Sequence, residues 1–173
     1  MRGRHRTVLL AIAVILFAFP SLADALRSDV IAHLDDAEKK LTALAEATPQ
    51  ESMTWRPGEG VRSNAEVFLH VAAGNYFLGG TIGAKRPEGL DLGKLDKSST
   101  DKATILQEIK RSFEFARGAI EGAPGDLDAE QDLFGRQVSK RYVVLLIGVH
   151  AHEHLGQAIA YARMNGIAPP WSE

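Results

Sequence analysis

His150-Ala151-His152-Glu153-His154-Leu155-Gly156-Gln157 places three of the six histidines of this chain within five residues. Its secondary structure decides the fold. In a strand, alternate side chains share a face, and all three imidazoles would point together. In a helix, His150 and His154 stand one turn apart, about 40° round the axis, and His152 lies roughly opposite. The flanking residues favour the helix. Val143, Leu146, Ile147, His150, His154, Ala158 and Tyr161 recur at spacings of one, three and four. Asn165-Gly166, with Pro169-Pro170 beyond, is a helix stop. His150 and His154 therefore form a helical H-x-x-x-H pair facing the core, and His152 faces elsewhere.

Upstream, the same periodicity predicts three more helices. Val30, Leu34, Ala37, Leu41 and Leu44 make a heptad-like seam over 26–47, with His33 at its margin. Ser63-Asn64-Ala65-Glu66 is a capping box opening a second helix that runs to about Ile82. Val67, Phe68, Val71, Gly74, Phe77 and Leu78 form its apolar face, and His70 lies on the edge of that face. Ile105, Ile109, Phe113, Ala116 and Ile120 mark a third helix from Ser99-Thr100 to Glu121, and the fourth spans 139–165. Residues 50–62, 83–98 and 126–138 read as irregular connections, the second long enough to mobilise or to rim a site. Trp55 in the first of them is expected to pack on the bundle. With no convincing strand and no internal repeat, the fold class is all-α, a four-helix bundle whose second and third connections are long enough to cross over. Leu145, Val149, Leu155 and Ile159 lie away from the histidine pair, and this face predicts a homodimer.

Arg2, Arg4 and Arg6, the twelve apolar residues 8–19, and Ser21-Leu22-Ala23 match a cleavable secretory signal over residues 1–23. The apolar run is short for a membrane span of about 20 residues. The expectation is an exported protein, periplasmic or secreted, without stable membrane insertion and with one domain over residues 24–173. Without the three arginines the net charge is near −5, which argues against nucleic acid as a partner. The chain has no cysteine. Disulfides, thiolate metal sites, covalent c-type haem and a cysteine nucleophile are excluded.

Imidazole nitrogens at i and i+4 of a helix can reach one ion. His70, on a core-facing edge of another helix, is the best third ligand. Three protein ligands leave a position open for water or substrate. Glu66, one turn before His70, either caps its helix or orients the imidazole. Gln157, one turn beyond His154, either bonds a ligand or is an interior amide. Tyr161 either shapes the pocket or fills the core. Arg163 faces away from the histidines.

Trp55-Arg56-Pro57, Arg62-Ser63-x-x-Glu66-x-x-x-His70, His150-x-x-Glu153-His154-x-Gly156-Gln157 and Tyr161-x-Arg163-x-Asn165-Gly166-x-x-Pro169-Pro170 together resemble the DinB family, which includes the YfiT-like proteins. The resemblance covers essentially all of residues 24–173. It implies a four-helix bundle and a divalent ion, zinc, nickel, iron or manganese, held by His70, His150 and His154. Several relatives are thiol S-transferases or thiol-dependent isomerases whose metal binds a low-molecular-weight thiol, and most have no assigned reaction. The family name does not imply polymerase activity. The activity implied here is a metal-dependent thiol S-transfer or hydrolysis acting on a small electrophile; the alternative is a non-catalytic exported bundle that binds a metal or ligand.

Overall fold

The computed structural model describes residues 21–123 and 126–172. The leader expected over residues 1–23 falls almost wholly outside the described residues. Among those, the elements in order are α1 (Leu22–Ala47), a 3-10 turn (Gln50–Thr54), α2 (Asn64–Thr81), a one-turn α3 (Leu92–Leu95), α4 (Lys102–Glu121), β1 (Glu130–Leu133), β2 (Arg136–Ser139) and α5 (Lys140–Met164). None of these helices is long and apolar enough to cross a membrane.

Each long helix is delimited by its own chemistry. Ser63 Oγ accepts from the Glu66 backbone N–H at 3.3 Å, and the Glu66 carboxylate accepts from the Ser63 N–H at 2.8 Å, the reciprocal box that opens α2. The α4 cap is Asp101, whose carboxylate accepts from Thr104 N–H at 2.8 Å; the sequence had suggested Ser99-Thr100, and Ser99 instead accepts from the Asp101 N–H. At the far end of α5, Gly166 takes φ 73°. Ile167 N–H reaches the Ala162 carbonyl and Gly166 N–H the Arg163 carbonyl, the paired bonds of a left-handed helix stop.

α1 packs on α4 and α5, and α2 packs on the same two. α1 and α2 thus face each other across one diagonal of the bundle, α4 and α5 across the other. The first and third connections cross a diagonal, and the second joins neighbours, so of the two connections long enough to cross over only the third does. The seam Val30, Leu34, Ala37, Leu41 and Leu44 is buried throughout. It meets Phe68, Ile109, Phe113, Val143 and Ile147 in one continuous core.

Two connections are more ordered than the sequence suggested. In residues 83–98, Asp91 caps α3, and Leu95 packs with Ala72, Ala73 and Tyr76 of α2 in a small cluster beside the core. Residues 126–138, read as irregular, hold an antiparallel hairpin with Glu130 opposite Ser139 and Leu133 opposite Arg136. Its two-residue turn is Phe134-Gly135, with φ 54° and 77°. Two positive φ values make this the turn whose twist matches that of paired strands, and it usually carries Asn-Gly. A phenylalanine in its first position hides the signal. The outer face of α5 also divides. Leu145 and Val149 are exposed, but Leu155 belongs to the core and Ile159 is half-buried against it.

Candidate metal centre

α2 and α5 are neighbours, and their contact brings His70 against His150 and His154. The ring centroids lie 5.2 Å (His70–His150), 4.6 Å (His70–His154) and 4.6 Å (His150–His154) apart. One nitrogen from each ring falls within 4.8 Å of the others. His152 points to α1 instead, as the helical phase requires. Its Nε2–H donates to the His33 carbonyl at 3.0 Å, and its ring meets the His33 ring edge-on.

Each of the two outer rings is oriented through Nδ1. His70 Nδ1–H donates to Asp96 Oδ2 at 2.9 Å, and Arg62 Nε donates to the same oxygen at 3.4 Å. His154 Nδ1–H donates to Gln157 Oε1 at 2.8 Å, and Gln157 Nε2–H donates to Tyr161 Oη at 3.1 Å. Those bonds select the tautomer whose Nε2 lone pair is free, the arrangement found around imidazoles that bind metals. Tyr161 is buried and meets Trp55 edge-on, centroids 5.6 Å apart, so the 50–62 connection closes one end of the network.

His150 differs. Its Nδ1 is buried with no hydrogen-bond partner. An unsatisfied buried nitrogen costs free energy unless something else pairs with it. Burial first, then the neighbouring His154, His70 and Arg62, push the His150 pKa down to about 3. Burial likewise lowers that of His70, against the opposing pull of Asp96. Both imidazoles are therefore neutral near pH 7, with lone pairs available. Three imidazoles in contact, one holding an orphaned nitrogen, form a donor set that fits a divalent transition ion.

Space for His150 comes from Gly74. A Cβ at that position would lie 2.1 Å from His150 Cε1 and 2.5 Å from Nδ1. Gly74 was legible only as part of an apolar face, and Asp96 only as part of a loop that could rim a site. Glu66 stands in the capping box and pairs with Arg56 at 3.3 Å; the carboxylate on His70 belongs to Asp96. A cavity of about 750 Å³ opens from His70, His150 and Asp96 past Gly74, Phe77 and Leu146 to Phe134. A more polar recess on the other side of Asp96 is lined by Arg56, Arg62, Glu66 and Gln157.

Comparison with known proteins agrees with this architecture. A DinB-like protein from Bacillus cereus ATCC 10987 superposes with a TM-score of 0.71 at 17% identity, covering 84% of this chain and 97% of its own. A DinB-like protein from Bacillus subtilis gives 0.62 at 24% identity, covering 80% and 92%. Both show a shared fold. No curated protein matches the chain. The sequence profile of the DinB superfamily matches residues 33–158, which include all three clustered histidines and most of the bundle. This chain belongs to the DinB superfamily.

Proposed function

We propose that His70, His150 and His154 bind one divalent metal ion, and that the protein uses it to activate a thiol or water toward a small electrophile. The buried, unpartnered Nδ1 of His150 within a triad of clustered imidazoles carries this reading. A bound ion would favour the ionised form of a thiol or of water near neutral pH. The chain's own residues supply the rest. Asp96 holds the His70 ring and makes it more basic. Gln157, fixed by Tyr161, holds the His154 ring. Phe77 and Leu146 give the cavity apolar walls.

The test is elemental analysis of protein purified from its native compartment, with calorimetric titration of zinc, nickel, iron(II) and manganese into the chelated protein. One ion per chain, lost in His154→Ala and His70→Ala, supports the site. No uptake of any of the four removes it. A panel of electrophiles offered with and without low-molecular-weight thiols then separates the activities. Metal-dependent turnover supports a transferase or hydrolase, and binding without turnover leaves a metal-binding bundle.

Export and self-association belong to the same proposal. The basic, apolar and small-residue order of residues 1–23 supports export, checked by fractionating cells for a shortened chain. Exposed Leu145 and Val149, with Val30 and Gly148 around them, support a homodimer, checked by light scattering of the Val149→Glu variant.

A further inference from the structure

The metal reading leaves the hairpin turn unexplained. Phe134 carries a large aromatic ring that is 79% exposed, on a backbone with φ 54°. Bulky residues avoid that region, and glycine or asparagine enters it with far less strain. Anchoring the hairpin does not require the ring, because Leu133 beside it is buried in the core. The ring does have one aromatic neighbour. It stacks on Phe77 of α2, centroids 5.0 Å apart and planes 15° from parallel. Both rings line the cavity that begins at His70 and His150. Strain held at the rim of a site, where packing does not call for it, points to function.

The cavity lining is chemically mixed. His70, His150, Asp96 and Lys97 supply polar groups; Phe77, Phe134, Leu92 and Leu146 supply apolar ones. Its volume of about 750 Å³ suits a compact organic molecule rather than a bare ion. Flat rings in this lining favour a flat partner.

We propose that Phe134 and Phe77 form an aromatic platform that selects substrates carrying a planar apolar group, whose reactive end lies at the three histidines. The substrate class is an aromatic or similarly planar electrophile. Only the placement of the reactive end rests on the metal reading; the platform itself does not.

The experiment uses two kinds of probe. The first is 2-naphthol, titrated into the metal-free protein and followed by its fluorescence. Saturable binding is expected, weakened about tenfold in Phe134→Gly and less in Phe77→Leu, in line with the loss of one stacked ring. The second is a pair of hydroxamates titrated into the zinc-loaded protein. 2-Naphthohydroxamate should bind about tenfold more tightly than acetohydroxamate, and Phe134→Gly should erase that difference while leaving acetohydroxamate and zinc binding unchanged. Equal 2-naphthol affinity in wild type and Phe134→Gly, or no saturable binding in wild type, overturns the platform. If the protein takes up no zinc, the metal reading fails, and the 2-naphthol arm still decides the platform.

Discussion

Gly74→Ala is the sharpest perturbation of the site, because it adds one carbon and nothing else. That carbon would sit 2.1 Å from His150 Cε1 and 2.5 Å from Nδ1. Ordinary carbon contacts lie near ~3.5 Å, so the imidazole must withdraw by more than about 1 Å. A metal ligand tolerates displacements of only about 0.2 Å. The ring is the end of a rotatable side chain and can swing away, so the fold should survive. Replacing a mid-helix glycine by alanine is itself worth about 1 kcal/mol, which offsets part of the strain. Stability of the metal-free variant should thus stay within about 1 kcal/mol of wild type by urea denaturation. Zinc affinity, by calorimetry against a competing chelator, should fall by at least about 100-fold, the upper end of what loss of a mere outer partner costs. The double variant Gly74→Ala, His150→Ala removes the clashing partner, and relative to His150→Ala it should be stabilised by about 1 kcal/mol. Unchanged zinc affinity in Gly74→Ala would refute the argument that α2 and α5 meet through the His150 ring.

Other outcomes follow from residues around the site. Asp96→Asn keeps the size of the side chain and removes its charge; zinc binding should weaken about 10- to 100-fold with the fold intact by circular dichroism. Tyr161→Phe removes the hydroxyl that holds Gln157, and should lower unfolding free energy by about 1 kcal/mol and weaken zinc binding less than Asp96→Asn does. Burial opposes ionisation of Glu66, but the Ser63 N–H and Arg56 outweigh it and hold its carboxyl below the usual carboxylate range. A lowered carboxylate stabilises the fold above its unfolded pKa, about 4.3, and loses that contribution as pH falls through the folded value. Denaturation of metal-free wild type and Glu66→Gln should therefore differ by about 1 kcal/mol at pH 7 and converge as pH falls through the folded value. A constant gap across that range would show that the Glu66 charge plays no part in the cap.

The bundle was readable because each long helix carries a stripe that repeats every three or four residues, as Val30 to Leu44 does, and the stripes of α1 and α4 are buried throughout. The split of the histidine cluster was readable for the same reason, since helical phase alone turns His152 away from its two neighbours; that it meets α1 came from the structure. What escaped depends on contacts between segments distant in sequence. Asp96 reaches His70 because a single turn, α3, docks Leu95 onto α2, and a one-turn helix has no periodicity to detect. The role of Gly74 lies in the shape of α5 across from it, which no local pattern contains. The hairpin was missed because its strands are four residues each, mostly polar, and its turn lacks the asparagine that normally announces it. The diagonal placement of α1 and α2 was beyond reach because connection length limits which helices can be neighbours without choosing among them.

The three histidines come from opposite halves of the chain, one on α2 and two on α5, and between them run α3, α4 and the hairpin. No fragment that lacks α5 contains a three-histidine cluster among the described residues. On the proposed reading, metal capture would follow synthesis of the last helix and its docking. Affinity among first-row divalent ions follows much the same order at any nitrogen site, so availability decides which ion is taken. If the three histidines take an ion as proposed, its identity would record where the fold closes, and two batches of the same bundle folded in different compartments should differ in metal.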